Sequence, residues 1–315
     1  MPSITQLEYI VAVHRTGNFG KAAAECAVSQ PTLSAQVAKA EEELGVVLFD
    51  RRSRPVQPTE PGRRLIALAV DVLSAHHRLL AAADGSERIC GSFTLGIIPT
   101  LAPYVLPWFL GPFAEKHPGL ELTVLERTTG SIVEQIKTLR MDAGLLATPL
   151  EEPGFDSRVL FYDPFYLYAH PDSPLLLEDE VSASDLEREP LWLLEDGHCF
   201  RHQVVHLCGV RTHGVMGNVR FDAASFETLR TLIDATGGCT LVPETFARTL
   251  PAPIRMSRLR PFRDPVPTRE VSLIASRSHW KTEILEAVTS ALRALAPRSL
   301  PRTSEGSEVV PILLG

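Results

Sequence analysis

The sequence predicts an α/β chain in three parts: a small helical unit at the N-terminus, one long helix, and a larger body of alternating strands and helices. Three observations lead there. The first sixty residues carry short apolar patterns of helical spacing punctuated by Gly17 and Gly45, residues 59–83 form one amphipathic run, and from Gly91 strand-like apolar runs alternate with helical ones. At 315 residues and 44% hydrophobic, the chain is long enough to fill more than one core. Its net charge of −7 supplies no global attraction to nucleic acid, so DNA binding must rest on local geometry. The N-terminal stretch MPSITQLEYIVAVHRTG has no basic segment ahead of an apolar one, and no run approaches the roughly 18–20 apolar residues of a membrane span. A cytoplasmic protein without membrane contact is expected. The five cysteines, Cys26, Cys90, Cys199, Cys208 and Cys239, are odd in number and sparse, which argues against a secreted disulfide framework.

Leu7, Ile10, Val11 and Val13 approximate helical spacing, and Thr16-Gly17-Asn18 stops that first helix. A second short helix, FGKAAAECA, places Cys26 in the core, and Ser29 can N-cap a third, QPTLSAQVAKAEEELG, with Pro31 in its first turn and Gly45 closing it. Two short helices joined by a tight turn form a helix-turn-helix. The exposed face of the second, opening at Ser29 and Pro31, would offer Gln30, Thr32, Ser34, Gln36 and Lys39 to base edges and phosphates. In LFDRRSRPVQPTEPGRR, Arg51, Arg52, Arg54, Arg63 and Arg64 suit a wing gripping the phosphate backbone. An amphipathic helix pair with a solvated arginine loop would show the same patterns. The segment AAAECAVSQPTLSAQVAKAEEELGVVLFDRRSRPVQPTEPGRRL, however, closely resembles the winged helix-turn-helix of LysR-type transcriptional regulators, which implies promoter DNA as a partner. Glu41 to Glu43, late in the helix, can point away from the groove.

Thr59 can cap a helix with Pro61 in its first turn, and the run to Ala83 sets Leu65, Leu68, Val72 and Leu79 along one stripe interrupted by His76. Such a stripe needs a partner, either the regulatory body or a second copy. By the family resemblance it is the linker helix that pairs two chains antiparallel, implying a homodimer at least. ADGSER supplies a hinge. Beyond it, SFTLGII, LELTVLE and AGLLAT read as parallel strands with LPWFLGPFAEKHP and SIVEQIKTLRM as intervening helices. A second block runs through FYLYAHPDSPL, PLWLLEDGHCF and SFETLRTLIDATGGCTLVPE, and the chain returns at REVSLIASR before a final helix. These two lobes resemble the periplasmic-binding-protein-like effector domain of the same family. The expected layout is therefore α/β with a winged helix-turn-helix at 1–58, a linker helix and hinge at 59–87, a two-lobed regulatory domain at 88–300, and a mobile tail at 301–315 rich in Pro, Ser and Gly.

The stretch EDGHCFRHQVVHLC carries the chemistry. It follows the strand-like LWLL, turns at Asp196-Gly197, and begins a helix near His198. Cys199 in the first turn of that helix, with Arg201 close by, is expected to have a lowered thiol pKa. An unbroken helix would hold Cys199 and Cys208 roughly 13 Å apart on opposite faces. A disulfide tolerates Cα separations of only about 4.4–6.8 Å. Helix and bridge exclude each other, which is the property a two-state switch needs. The residues alone leave other readings open. The thiols can be two small buried hydrophobes. His202 and His206, at i and i+4 beside Cys199, can form a Zn or Ni site. An activated cysteine can be an enzyme nucleophile, although no third orienting residue stands at a recognisable spacing.

LLEDGHCFRHQVVHLC, together with GIIPTLAPYVLP and SFETLR, looks like the hydrogen-peroxide-sensing members of the LysR family. That resemblance implies that Cys199 is the peroxidatic residue, forming a sulfenic acid that Cys208 resolves as a disulfide. It implies further that Thr100 and Thr129 help place peroxide and water, and that His198 and Arg201 flank the sulfur. The disulfide would rearrange a tetramer and recruit RNA polymerase at antioxidant promoters. No enzyme activity, cofactor or metal is expected. Two departures stand out: His202 where those members commonly carry an aspartate, and Gly130 where a histidine is often found. Both bear on reaction rate more than reaction type. Thr100 can alternatively cap the helix that follows it, and a LysR regulator answering to a metabolite or metal ion is the rival reading.

Overall fold

The computed structural model describes residues 1–84, 89, 91–150, 154–196, 198–208, 215–216, 219–220, 223–277 and 281–311. Residues 85–88 of the expected hinge, Cys90 and Gly197 lie outside the described residues.

In the head, α1 (Ile4–Thr16) opens with a capping box between Ser3 and Gln6 and ends at Gly17 in the left-handed region, φ 60°. Asn18 caps α2 (Phe19–Glu25) by accepting from the Gly20 and Lys21 N–H groups. Ser29 caps α3 (Gln30–Leu44), and Gly45, φ 68°, closes it. Gly17, Ser29 and Gly45 act as read from the sequence, and the Ser3 and Asn18 caps add to them. Cys26 sits at the end of α2, only partly buried. Ile10, Val13, Ala22, Leu33, Val37 and Phe49 fill the small core.

The wing is a pair of two-residue antiparallel strands, β1 (Phe49–Asp50) and β2 (Gln57–Pro58). Glu41 braces it by accepting from the N–H groups of Leu48, at 2.7 Å, and Phe49 and from the Arg51 guanidinium. Arg63 and Arg64 belong instead to α4 (Glu60–Asp84), a correction to the five-arginine wing. Thr59 caps α4 by accepting from the Gly62 N–H at 3.0 Å. Only glycine fits at 62, because a Cβ there would lie 2.1 Å from the Leu48 carbonyl oxygen. Ile66, Ala69, Val70 and Leu73 are buried, whereas Leu68, Val72, Leu79 and Leu80 are exposed, Leu79 at 67%. Leu65 packs against the head core and so leaves the expected stripe, which Leu80 joins.

The body continues through β3 (Gly91–Ile97), α5 (Ala102–Lys116), β4 (Leu120–Glu126), α6 (Thr129–Lys137), β5 (Ala143–Thr148) and β6 (Phe155–Ala169). Next come α7 (Cys199–Cys208), the pair β7 (Val215–Met216) and β8 (Val219–Arg220), α8 (Phe226–Thr236), β9 (Cys239–Pro243), α9 (Glu244–Ala247), α10 (Ala252–Arg258), β10 (Leu259–Pro261), β11 (Val266–Ser276) and α11 (Thr282–Leu295). Strands β4, β3 and β5 are parallel, as expected, but β6 and β11 run antiparallel to each other. This pair joins the lobes. The first half of β6 pairs with β11 in lobe I and its second half with β9 and β10 in lobe II. Each lobe has its own core, around Phe93, Phe109 and Leu285 in the first and Phe165, Phe226 and Phe246 in the second.

Two expectations fail here. LWLL is buried but not a strand, since its β pairings are isolated bridges, from Leu191 to Cys239 and from Leu194 to Ala223. Residues 301–311 of the expected mobile tail are docked, 312–315 lying outside the described residues: β12 (Ser307–Val309) pairs parallel with the start of β11, and Val310 is buried in the lobe II core. The Pro, Ser and Gly residues mark turns leading into an apolar pair, Val309-Val310, whose second member finds a seat. Among the described residues no helix is long and apolar enough to cross a membrane.

Candidate functional site

The site lies where β6 and β11 cross between the lobes. Their register sets Arg269 directly opposite Asp163, and both side chains are fully buried. Arg269 Nε and Nη2 donate to Asp163 Oδ2 at 3.0 and 2.8 Å. Asp163 also accepts from the Thr245 N–H and hydroxyl, at 2.9 and 2.8 Å. A carboxylate so fully engaged fixes the planar guanidinium in one orientation. The remaining Arg269 nitrogen, Nη1, donates to Thr100 Oγ1 at 3.1 Å, and Nη2 also reaches the Thr100 carbonyl. Thr100 therefore serves Arg269 and does not cap α5, whose start has no side-chain cap.

Helix α7 straddles the lobes. Cys199, 5% exposed, packs with the lobe I core, while Phe200 points the other way into the lobe II aromatics, 4.9 Å from Phe165 and 5.0 Å from Phe226 between ring centroids. The Arg269 guanidinium stands 5.4 Å from the Phe200 ring centroid, a cation–π contact. Val204 and Cys208 face the lobe II core. The two cysteines thus belong to different cores at opposite ends of one continuous ten-residue helix. At about 1.5 Å per residue, that helix keeps them roughly 13 Å apart.

Burial raises the Cys199 thiol pKa, contrary to the lowered value expected from the sequence. Arg269, the Thr129 hydroxyl and the backbone N–H groups of Phe200 and Cys199 pull it back part of the way. Arg201 does not serve as the cation. Its Nη1 donates to the Leu194 carbonyl at 2.7 Å and its Nε reaches Asp196 at 2.8 Å, which locks the turn before α7. Thr129, the first residue of α6, leans its buried hydroxyl on the thiol, and the oxygen makes no well-formed hydrogen bond within the protein. Thr129 and Thr100 are thus brought to the same thiol–guanidinium pair. A buried hydroxyl turned to a thiol, with no other partner among the described residues, suits a small polar guest.

Burial pushes the Cys208 thiol pKa up to about 12. His198 is buried with Nε2 3.6 Å from the Glu195 carboxylate. Burial lowers its pKa, against the pull of Glu195 and Glu126. His202 is half-buried and His206 exposed. Among the described residues no three His, Cys, Asp or Glu side chains are grouped to hold a metal.

In the head, Ser29, Gln30, Pro31, Thr32 and Lys39 are exposed along α3. Ser34 and Gln36 are half-buried and engaged, Ser34 accepting from Arg51 at 3.2 Å and Gln36 from Gln6 at 3.0 Å. Arg51 also stacks 4.9 Å from the Phe19 ring centroid, so it holds the wing to the helices, whereas Arg52 and Arg54 are exposed. Sequence reasoning missed Arg269, Asp163 and Thr245. A signal was present: Asp163 is a lone charge inside the apolar run FYDPFYLY, and a charge in a buried strand calls for a partner, which Arg269, at the head of the strand-like REVSLIAS, supplies.

Residues 86–297 match the LysR substrate binding domain family, and residues 4–63 match the bacterial regulatory helix-turn-helix protein, lysR family. The hydrogen peroxide-inducible genes activator of Haemophilus influenzae is 35% identical over 92% of this chain and 96% of its own length. Full-length OxyR of Pseudomonas aeruginosa, solved with a cysteine-to-aspartate change, superimposes with a TM-score of 0.76 at 30% identity, covering 94% of this chain and 99% of that one. A peroxide-bound cysteine variant of Corynebacterium glutamicum OxyR gives 0.58 at 30% identity, covering 94% of each. With both of its family segments matched and its whole length paralleled in these relatives, the chain belongs to the LysR family of bacterial helix-turn-helix regulators, among its OxyR-type members.

Proposed function

We propose that this chain is a hydrogen-peroxide-sensing transcriptional regulator in which Cys199 is oxidised and Cys208 resolves it. The observation that carries this reading is the division of one helix between two cores, with the Cys199 end facing Arg269 and the orphan Thr129 hydroxyl. Thr129 and the Arg269-bound Thr100 hold peroxide against the sulfur. The Cys199 thiolate attacks one peroxide oxygen, an S–O bond forms, the O–O bond breaks, and the departing hydroxide takes a proton to leave as water. The sulfur loses two electrons and becomes sulfenic acid. Cys208 then attacks that sulfur as thiolate, the S–S bond forms and the sulfenic oxygen leaves as a second water. Read as a sensor and not an enzyme, the chain is expected to consume about one peroxide per Cys199–Cys208 pair, an external reductant returning the thiols too slowly for sustained turnover.

The test is mass spectrometry of the full chain after one equivalent of peroxide. A Cys199–Cys208 disulfide with Cys26 and Cys239 still reduced is expected. Unchanged thiols would overturn the reading. His198 and Arg201 act by holding the turn into α7, and His202 and Gly130 set the rate. At Gly130 an added side chain would meet open space, so the missing imidazole is a loss of chemistry and not of fit.

On DNA, α3 presents Ser29, Gln30, Pro31, Thr32 and Lys39 to the major groove, with Arg52 and Arg54 on phosphates and Arg51, Ser34 and Gln36 fixing the helix and wing. The exposed Leu68, Val72, Leu79 and Leu80 pair two copies through α4, and oxidation rearranges a tetramer of such dimers so that it engages RNA polymerase at antioxidant promoters in the cytoplasm. Each buried leucine contributes about 1.5–3 kcal/mol. Leu68→Glu with Leu79→Glu is therefore expected to convert the dimer to monomer in sedimentation analysis, and an unchanged mass would remove α4 as the interface.

A further inference from the structure

We propose that the C-terminal strand is a strap latched to the switch helix through Gln203 and released when that helix unwinds. The inference rests on the redox reading for its trigger, but the latch itself is a feature of the reduced fold. Gln203 lies between the two cysteines on α7 and is fully buried. Its Nε2 donates to the Val310 carbonyl oxygen at 2.7 Å, a contact spanning 107 residues of sequence. Val310 sits in the same core as Phe200, Val204 and Cys208, and its N–H donates to the Thr268 carbonyl at 2.9 Å.

Two further observations give the strap its form. Its root is pinned. Arg302 donates to the carbonyls of Leu160, Arg293 and Ala296, and the Pro301 carbonyl accepts from the Tyr162 N–H. None of these partners lies on α7. Beyond the root, the attachments among the described residues include the three-residue pairing of β12 with β11, the bond from the Val266 N–H to the Gly306 carbonyl, the Ser304–Ser307 turn, a Ser304 hydrogen bond to Tyr162, the Val310 seat and the Gln203 bond. The second observation is that Gln203 Oε1 is buried without a hydrogen-bond partner. An unpaired buried carbonyl costs stability that a leucine of similar size would not. A residue kept for packing alone would be apolar. The amide makes sense as a donor that ties the strap to a helix which itself changes fold.

Unwinding α7 to bring Cys208 to Cys199 moves Gln203 with it. The Val310 carbonyl loses its donor and its core neighbours in the same event, and residues 304–311 let go while Arg302 holds the root. The coupling is reciprocal: a docked strap favours the helical, reduced form, so it raises the oxidation needed to trip the switch.

Hydrogen exchange with mass spectrometry on the full chain tests both halves, with the disulfide measured in parallel. In the reduced state, Gln203→Leu is expected to lower amide protection across residues 306–310 at least tenfold with lobe I unchanged. Undiminished protection in that variant would overturn the latch, whatever happens on oxidation. In the unaltered chain, peptides over 304–311 are expected to lose protection at least tenfold once the Cys199–Cys208 disulfide has formed. A formed disulfide with a still-protected strap would overturn the release while leaving the sensor intact. If no disulfide forms, the sensing reading and its trigger fail together, and the reduced Gln203→Leu comparison alone decides the latch. A chain ending at Thr303 is expected to form the disulfide several-fold faster at equal peroxide. An unchanged rate would overturn the coupling.

Discussion

Arg269→Ala is expected to destabilise the reduced chain by about 3–5 kcal/mol, the cost of leaving a fully buried carboxylate without its counter-ion. Asp163 would keep the Thr245 N–H and hydroxyl, which cannot replace the two charge-assisted bonds from the guanidinium. Urea unfolding of the reduced protein measures the loss. A change below about 1 kcal/mol would mean that the pair is hydrated or dispensable. The double variant Arg269→Met with Asp163→Leu separates stability from chemistry. It removes both charges, and since apolar replacements of buried ion pairs are often neutral, it is expected to regain most of the stability. It is not expected to regain reactivity. Arg269 is the cation that draws the Cys199 pKa down against burial, and without it the thiol rises further. Each unit of rise leaves about tenfold less thiolate at neutral pH, so sulfenic acid formation slows in proportion. The sign fixes the pH profile: the deficit shrinks as pH is raised toward the thiol pKa, whereas a merely misfolded variant would show no such recovery.

This pair also marks the limit of reading the chain as a sequence. The head was legible because its determinants are local: Ser29 caps its helix within three residues, and Gly17 and Gly45 end theirs in the left-handed region. Likewise, the spacing of Cys199 and Cys208 was enough to set helix against disulfide. What escaped depends on contacts more than a hundred residues apart. The Asp163–Arg269 pair spans 106 positions and the Gln203–Val310 bond 107, and no pattern within one segment encodes either. The thiol pKa was misjudged for the same reason. A helix start and Arg201 are visible locally, but the depth of burial and the competing claim of Asp196 on Arg201 are set by tertiary packing. LWLL and the tail show the converse error, where apolar or turn-rich composition was assigned a state that partners elsewhere in the chain decide.

Cys199→Ser is expected to abolish peroxide-dependent transcription altogether, and Cys208→Ser to halt the reaction at a Cys199 sulfenic acid detectable by dimedone trapping. The second variant exposes how the steps are ordered. While α7 is intact, a Cys208 thiol with pKa near 12 has a thiolate fraction on the order of 10⁻⁵ at pH 7 and sits roughly 13 Å from its target. Resolution therefore waits on unwinding, which both carries Cys208 across and returns its thiol toward the ordinary value of about 8.5. The first step does not require Cys208 to cross, because the Cys199 end already faces Arg269 and Thr129. Helix stability should consequently govern the second step alone. His206 is exposed on α7, where alanine and glycine differ by about 1 kcal/mol in helix propensity. Stopped-flow oxidation of His206→Ala and His206→Gly is expected to give equal rates of sulfenic acid formation but disulfide formation about fivefold faster in the glycine variant. Equal disulfide rates would show that the helix does not have to open before Cys208 attacks, and a difference already present in the first step would show that it gates peroxide entry instead.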